Sequence, residues 1–241
     1  MKYILKLAKL CLLLIAVILV AEGFCGDPAA PDVPEATVPS TAAPAPTCPL
    51  PLEDWRLVLV SKSHPIPEDF PTPELTKVGE RFYVDSRCYE DLQAMLTACE
   101  AAGLNPVVRS AYRSMNDQIY LFDRKLQRLR EQGLSEEEAY QRAQIEVTLP
   151  GTSEHHTGLA VDLVDYDYQE LDEHQEQTAV QQWLLENCWD FGFILRYPNG
   201  KSDITDIIYE PWHYRYVGRE VALLIRDSGL CFEEYLEQFG S

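Results

Sequence analysis

Two short blocks of chemically active side chains, far apart in the chain, constrain its fold more than any other sequence feature. The first block carries His155 and Asp162, and the second carries Glu210 and His213. Two imidazoles and one carboxylate form the three-ligand set of a catalytic zinc site, in which water takes the fourth position. Glu210 is the remaining acid and is suited to take a proton from that water. The sequence therefore predicts a fold that brings both blocks around one Zn²⁺ ion.

The apolar run at residues 159–164 predicts a strand with an acid inside it. Period-2 alternation places Leu159, Val161 and Leu163 on one face of this strand and Asp162 on the other. A carboxylate in so apolar a strand is costly unless it is charge-paired or bound to a metal. The position of Asp162 therefore supports its interpretation as a metal ligand.

Four ordered blocks give the chain a family resemblance. They read Ser110-Ala111-Tyr112-Arg113-Ser114, then Ser-x-His-x-x-Gly-x-x-x-Asp beginning at Ser153, then Phe193-Ile194-Leu195-Arg196-Tyr197-Pro198, then Glu210-Pro211-Trp212-His213-Tyr214-Arg215-Tyr216-Val217-Gly218. This order resembles the VanY-type D-alanyl-D-alanine carboxypeptidases, peptidase family M15B. The resemblance covers residues 57–236. It implies an α+β fold of the Hedgehog/DD-peptidase group, in which helices surround a small antiparallel sheet with one zinc at its centre.

The resemblance also implies roles for the matched residues. The zinc ligands are His155, Asp162 and His213. Glu210 is the base and later the proton donor. Arg113 faces the metal and helps to hold the substrate carbonyl or carboxylate, although its own segment alone favours a surface arginine paired to a carboxylate. The resemblance implies substrate binding by Ser110 and Gln118. Trp212 could be a core aromatic, but its place between the base and a ligand predicts a wall of the substrate pocket, and Ser153 is also a predicted substrate-binding residue.

Four other residues receive separate predictions. His156 competes with His155 for the metal, but the family pattern leaves position 156 variable, so His155 is the predicted ligand. Arg215 is predicted to pair with a carboxylate near the metal site. Glu154 and Glu170 match no functional position, and both are expected to be solvated.

The implied substrate is a peptidoglycan stem peptide, from which the enzyme removes the C-terminal D-alanine. One alternative is an L,D-carboxypeptidase that acts on the tetrapeptide stem, because the zinc residues are the same in both cases. The other alternative is a non-catalytic peptidoglycan-binding module. Loss of Glu210 would favour that module, and Glu210 is present.

The N-terminal part of the chain predicts export. Three lysines precede the apolar run at residues 10–21, which is typical of a signal peptide and short for a membrane-spanning helix. Residues 1–23 are therefore a cleaved signal peptide or an uncleaved membrane anchor, and both place the rest outside the cytoplasm. Residues 24–51 are rich in Pro, Ala and Thr and predict a disordered linker. Residues 52–241 form the predicted zinc carboxypeptidase domain, which contacts the membrane only through that anchor.

Net charge excludes one class of partner. The chain carries a formal net charge of −19, whereas nucleic-acid binding needs a basic patch or stripe. The charge favours solubility through self-repulsion, and we expect a monomer.

The seven cysteines leave disulfide pairing open. Removal of residues 1–23 takes Cys11 and leaves an even number, which permits disulfides outside the cytoplasm. Cys88 and Cys99 lie on one predicted helix, roughly 16 Å apart along its axis, and are too distant to bridge each other.

Hydrophobic periodicity and capping signals predict mixed α and β structure. Ser114 is a predicted N-cap, and Ser135 with Glu138 forms a predicted capping box. The predicted strands are 55–60, 81–84, 105–109, 159–164 and 193–197. The predicted helices are 89–102, 115–131, 135–149, 179–191, 218–227 and 232–238.

Overall fold

The computed structural model describes residues 48–239. The predicted leader and most of the predicted linker lie outside these residues. The strands are β1 (Leu75–Val78), β2 (Phe82–Asp85), β3 (Pro106–Ser110), β4 (Ala160–Asp165), β5 (Phe193–Leu195) and β6 (His213–Tyr216). The helices are α1 (Tyr89–Ala101), α2 (Met115–Glu131), α3 (Glu136–Glu146), α4 (Ala179–Asn187), α5 (Ser202–Thr205), α6 (Arg219–Ser228) and α7 (Phe232–Phe239). Within the same residues, no helix is long and apolar enough to cross a membrane.

A four-stranded antiparallel sheet forms the centre of the domain. Its strand order is β3-β4-β6-β5, so β4 and β6 are the two inner strands. Strands β1 and β2 form a separate antiparallel hairpin. Inner strands are paired on both edges, which makes β4 and β6 the most firmly held backbone on which a site could be built.

Helix boundaries follow the capping signals in the sequence. The Ser114 side chain accepts a hydrogen bond from the Asp117 amide and starts α2 at the predicted residue. At α3, Ser135 and Glu138 form the reciprocal bonds of the predicted capping box. The hairpin of α2 and α3 closes over a small apolar cluster of its own.

The main core lies between the sheet and helices α1 and α4. Leu92 and Met95 of α1, Leu163 of β4 and Leu184 of α4 are all fully buried in it. Each such side chain contributes roughly 1.5–3 kcal/mol relative to an exposed one. Leu159, Val161 and Leu163 belong to this same core, as the predicted strand alternation requires. A second apolar cluster packs α6 and α7 against the chain near β5.

The first predicted strand, at residues 55–60, is wrong. A 3-10 turn occupies Trp55–Leu57 and is capped by the Asp54 side chain, which accepts from the Arg56 amide. The carbonyls of Arg56 and Val58 accept hydrogen bonds from the Arg215 guanidinium instead of from a partner strand. A charged side chain supplied by β6 therefore replaces the ladder that the apolar pattern suggested.

Other elements also differ from prediction. The helix predicted at 179–191 is α4 followed by a 3-10 turn at Cys188–Phe191, the helix predicted at 135–149 ends at Glu146, and the strand predicted at 193–197 ends at Leu195. Strands β1 and β6 were not predicted. Disulfides are absent among residues 48–239, where the free thiols are Cys48, Cys88, Cys99, Cys188 and Cys231.

Candidate metal centre

Three predicted site residues form a row across the sheet. Asp162 on β4 pairs with Ser110 of β3 on one side and with His213 of β6 on the other. Residues that are paired directly across antiparallel strands have their side chains on the same face, with Cβ atoms about 4.5–5.5 Å apart. Strand register alone thus brings together residues that lie far apart in the sequence.

His155 reaches this row from a 3-10 turn at Glu154–Thr157, just before β4. Two hydrogen bonds fix it, because its carbonyl accepts from the Arg113 amide at 3.0 Å and its Nδ1 lies 2.8 Å from the Ala111 carbonyl oxygen. Gly158 ends the turn with a φ of 73°, and a Cβ there would lie 2.9 Å from the Asp85 amide nitrogen. Only glycine suits a position that is both left-handed and this crowded.

The three predicted ligands present their donor atoms to one point. His155 Nε2 lies 3.4 Å from Asp162 Oδ2, and His213 Nδ1 lies 3.1 Å from Asp162 Oδ1. All three donors fall within 4.8 Å of one another. Bond lengths of 2.0–2.1 Å to a tetrahedral zinc imply ligand separations of about 3.3 Å. Asp162 Oδ1 is buried and accepts no well-aligned hydrogen bond among the described residues, although His213 Nδ1 lies 3.1 Å away, so the site fits a small cation.

The protonation states of the imidazoles are compatible with metal binding. Burial, together with the nearby Arg113 guanidinium, lowers the pKa of His155 to about 4, so its ring is neutral at pH 7. For His213, burial lowers the pKa, but the Asp162 and Glu154 carboxylates outweigh it and raise the pKa to about 9. A proton on His213 Nδ1 must leave when a cation binds there, which is the usual coupling of metal binding to proton release.

Glu210 borders the same space from the turn before β6. Its Oε2 lies 3.7 Å from His213 Nδ1, and its amide donates to the Tyr197 carbonyl. Burial is the main cause that raises the pKa of Glu210 to about 8, and the Asp162 carboxylate adds to it. A cation bound beside Glu210 opposes this shift. Its position and buried environment are those of a general base.

Arg113 follows β3 and approaches Asp162, with its Nη2 4.0 Å from Asp162 Oδ2. Its guanidinium donates to Ser110 Oγ at 2.9 Å and to Gln118 Oε1 at 2.8 Å. Gln118 is fully buried, and its amide group also donates to the Val147 and Thr148 carbonyls at the end of α3. Gln118 is not among the residues that line the cleft, and its contact with the substrate stays a prediction. What the structure shows is that Gln118 fixes the Arg113 side chain.

A cleft of about 500 Å³ joins these groups. Ser110, Arg113, Ser153 and Trp212 line it, as do the three predicted ligands and Glu210. Tyr197 also lines the cleft, and its ring centre lies 4.8 Å from that of His213. Sequence reasoning missed Tyr197, although it lies in the third block of the family resemblance.

Glu154 was predicted to be solvated, but it is fully buried behind His213. Its Oε1 accepts from Arg196 Nε at 2.7 Å and from Arg215 Nη1 at 2.6 Å. Its Oε2 lies 3.7 Å from His213 Nε2. Burial alone would raise the pKa of Glu154, but Arg196 and Arg215 hold it well below its usual range. The predicted pairing of Arg215 with a carboxylate is confirmed, and its partner is Glu154.

A signal for this buried network was present in the sequence. Arg196 directly follows the apolar residues of β5, and Arg215 sits between two tyrosines of β6. Buried arginines need carboxylate partners. Arg196 also forms a two-point contact with Glu233 of α7, so the network ties the C-terminal helix to the sheet.

His156 faces away from the donor set. Its Nδ1 lies 2.8 Å from the Arg113 carbonyl oxygen, and its Nε2 accepts from the Gly151 amide at 3.2 Å. Both ring nitrogens are thus occupied by backbone groups. His155 is the imidazole that the structure places with Asp162 and His213.

Comparison with known sequences gives concordant matches. A sequence profile of the VanY family, described as D-alanyl-D-alanine carboxypeptidase, matches residues 81–219. A D-alanyl-D-alanine carboxypeptidase of Enterococcus faecalis is 41% identical over 184 residues, which is 76% of this chain and 66% of that protein. The chain thus spans slightly under two thirds of that relative. VanXYC of Enterococcus gallinarum, a bifunctional D-Ala-D-Ala dipeptidase and carboxypeptidase, is 32% identical over 74% of this chain and 92% of its own length.

Solved structures match as well. VanY from the VanB-type resistance cassette, solved as a variant with Zn(II), has a TM-score of 0.70 and 40% identity over 76% of this chain and 99% of its own. VanYB with D-alanine-D-alanine matches with the same score and identity, over 76% of this chain and 98% of its own. LdcB, an LD-carboxypeptidase, has a TM-score of 0.61 and 34% identity over 74% of this chain and 84% of its own. These matches confirm the predicted α+β zinc-peptidase fold.

The site and the comparisons agree on one group of proteins. Both histidines, the aspartate and the glutamate of the predicted pattern meet in one cleft, and the matching profile covers more than half of the chain. The chain belongs to the VanY family of D-alanyl-D-alanine carboxypeptidases.

Proposed function

We propose that this protein is a zinc-dependent D,D-carboxypeptidase that hydrolyses the terminal D-alanine from peptidoglycan stem peptides. One observation carries the proposal: the row of Ser110, Asp162 and His213 meets His155 and Glu210 on the wall of a single cleft. A metal donor set and a buried acid in one cleft are the parts that peptide hydrolysis requires.

The predicted zinc cofactor is confirmed by the His155, Asp162 and His213 donor set together with the Zn(II) complex of the VanY neighbour. When bound, zinc supplies Lewis-acid chemistry that polarises the peptide carbonyl and makes water more acidic. Glu154 lies behind His213, where its Oε2 is 3.7 Å from His213 Nε2, so it contributes its charge to the imidazole without a hydrogen bond.

The chain's own residues account for the proton transfers. Glu210 takes one proton from the attacking water and gives it to the amine of the departing D-alanine, so the carboxylate is regenerated. Arg113 stabilises the negative charge that develops on the carbonyl oxygen. Ser110 and Gln118 hold the guanidinium in place for this task. Burial around Glu210 strengthens each of these electrostatic contributions.

The D,D-specificity is favoured over the L,D alternative by similarity. The VanY structure, described as a D,D-pentapeptidase, is 40% identical to this chain with a TM-score of 0.70, compared with 34% and 0.61 for LdcB. The test is release of D-alanine by the purified protein from a pentapeptide ending in D-Ala-D-Ala and from the matching tetrapeptide. We expect faster release from the pentapeptide. Faster release from the tetrapeptide would establish the L,D alternative, and binding of both peptides with no release from either would favour a binding module.

The mechanism also predicts the drug response. Hydrolysis through Glu210 needs no acyl-serine intermediate, and Ser110, Ser114 and Ser153 lack a Ser-x-x-Lys context. D-Alanine release should stop with a chelator and continue with a β-lactam. Stoichiometric labelling of the protein by a penicillin would contradict the mechanism.

We also propose that residues 1–23 export the protein, either as a cleaved signal or as a retained anchor. Three lysines followed by an apolar run support this proposal, and the proposed substrate lies outside the cytoplasm. Fractionation of cells that express the chain with and without residues 1–23 tests it. Cytoplasmic location of both forms would contradict it.

A further inference from the structure

The cleft continues beyond the metal centre along one face of α2. Leu121, Arg124, Lys125 and Arg128 line it, and their spacing of three, four and seven residues places them on a single helical face. At 1.5 Å per residue, this face runs about 10 Å along the helix. One extended residue spans only about 3.5 Å. The cleft is therefore longer than the departing D-alanine needs.

A strand irregularity adds a fourth cation to this part of the cleft. On β3, Val108 pairs with Leu163 and Ser110 pairs with Asp162, so Arg109 is an extra residue on its strand. Neighbours on a regular strand point to opposite faces, yet Arg109 and Ser110 both line the cleft. Bulges re-aim side chains in this way and are frequent beside active sites.

Three of these cations lack carboxylate partners. Lys125 is neutralised by an ion pair with Glu146, whereas Arg109, Arg124 and Arg128 form no ion pair within residues 48–239. Nearby arginines outside the cleft do find partners, since Arg130 pairs with Glu136. We call Arg109, Arg124 and Arg128 the basic wall.

The basic wall is a concentration of positive charge on a strongly acidic chain. The whole protein has a net charge of −19, and within residues 48–239 carboxylates are available to pair with most arginines. A wall of unpaired guanidinium groups in a cleft attracts and orients an anion. Arg113 is the cation beside the metal centre, and its role there is at the scissile carbonyl oxygen. The wall is left for a second anion.

We propose that the basic wall binds a carboxylate on the acyl side of the scissile bond, so that the enzyme prefers stem peptides with a free acid there over amidated ones. This inference rests on the proposed function, because it assumes that the stem peptide occupies the cleft. A carboxypeptidase keeps all but the last residue of its substrate on the acyl side. The 10 Å face of α2, by the helical rise above, is long enough to contact two or three of those residues.

The test compares three N-acetylated pentapeptides that all end in D-Ala-D-Ala. One has a free carboxylate on the third residue from the C-terminus, one has it on the fourth, and one has carboxamides at both positions. Values of kcat/KM are measured for the unmodified protein, for the triple variant Arg109→Gln, Arg124→Gln and Arg128→Gln, and for Arg130→Gln. Arg130→Gln is the control, because it makes the same type of substitution on α2 at an arginine outside the cleft.

We expect one of the acidic peptides to exceed the carboxamide peptide by about tenfold in kcat/KM, since each exposed charge pair contributes a factor of about 1.5 to 5. The preference should shrink to within about twofold in the triple variant, persist in Arg130→Gln, and fall with added salt. Equal rates on all three peptides with the unmodified protein would overturn the inference, as would a preference that survives in the triple variant. Zinc content and thermal unfolding of the triple variant check that it is folded.

A binding measurement separates failure of this inference from failure of the proposed function. The dissociation constants of the three peptides are measured with the Glu210→Gln protein, which has the wall but lacks the base. Tighter binding of an acidic peptide supports the wall even if the unmodified protein hydrolyses nothing, and that second result would overturn only the proposed function. Equal dissociation constants would overturn the wall regardless of turnover.

Discussion

The two sides of the His213 imidazole differ in how their carboxylates are neutralised. On the inner side, at Nε2, Glu154 and Glu233 are matched by the buried guanidinium groups of Arg196 and Arg215. The cleft side, at Nδ1, carries Asp162 and Glu210. There, Arg113 approaches Asp162 only to 4.0 Å, and Asp162 Oδ1 accepts no well-aligned hydrogen bond among the described residues.

This difference separates a structural cluster from a functional one. Buried charges persist when they are paired and hydrogen-bonded. On the inner side, Arg196 and Arg215 balance the charge of Glu154 by donating to its Oε1, although Glu154 Oε2 and His213 Nε2, 3.7 Å apart, form no hydrogen bond among the described residues. On the cleft side, the carboxylates gain a comparable positive partner only when a cation is added. The same imidazole therefore links a charge cluster that holds the fold to another cluster that recruits the metal. The following predictions test that division.

Replacement of His213 should have the largest effect, because this residue belongs to both sides. His213→Ala removes one of three protein ligands, and we expect the purified protein to lose most of its zinc and all measurable release of D-alanine. Elemental analysis of metal per protein checks this. A full complement of zinc in His213→Ala would refute the donor set.

Glu210→Gln tests the cleft side without removing a ligand. The amide keeps nearly the same shape but cannot accept the proton, so turnover should fall by about 10²–10⁴-fold while zinc content stays the same. Single-turnover kinetics and metal analysis on the same sample measure both quantities. Normal turnover would show that the base lies elsewhere.

Glu154→Gln tests the inner side. Loss of this charge leaves Arg196 and Arg215 without their shared partner, and we expect the free energy of unfolding to fall by about 3–5 kcal/mol. Zinc affinity should weaken by about 10–100-fold, because the carboxylate lies directly behind that ligand. Urea unfolding and competition with a zinc chelator measure the two effects.

Glu170→Gln is the control for Glu154→Gln, because Glu170 is exposed and its replacement should change stability by less than about 0.5 kcal/mol. An equally small effect of Glu154→Gln would mean that the inner cluster does not hold the fold.

His156→Ala should have the smallest effect on the metal. His156 contacts the backbone of Arg113 and Gly151 and no group of the donor set. We expect stoichiometric zinc, with a loss of about 1–3 kcal/mol in unfolding free energy from the two unpaired backbone groups. Zinc loss that exceeds the loss in His155→Ala would identify His156 as the true ligand.

Much of the local structure could be predicted because it depends on near neighbours. The start of α2 at Met115 follows from the Ser114 side chain, and the start of α3 follows from the capping box of Ser135 and Glu138. Likewise, the apolar alternation around Asp162 indicated a buried strand. In each case, the groups that satisfy the backbone lie within a few residues of one another in the sequence.

Positions that depend on distant partners were predicted less well. Glu154 was expected in solvent because nothing near it in the sequence requires burial, whereas Arg196 and Arg215 arrive from β5 and β6 and pair with it. Gln118 was expected to bind substrate, and its contacts with Arg113 and with the end of α3 were not predicted. No strand ladder forms at residues 55–60, because the Arg215 side chain of β6 donates to the Val58 carbonyl in place of a partner strand.

The sequence by itself determined the chemistry of this protein: a two-histidine, one-aspartate donor set, a spare glutamate, and the family to which they belong. These depend on residue identity and order, which are fully present in the chain. The tertiary structure decided which imidazole faces the metal, which carboxylate is buried behind it, and which arginines remain unpaired along the cleft. Those outcomes depend on strand register and on the bulge at Arg109. They also depend on which charges meet across long stretches of sequence, because charge pairing is fixed by distance in space and not by position in the chain.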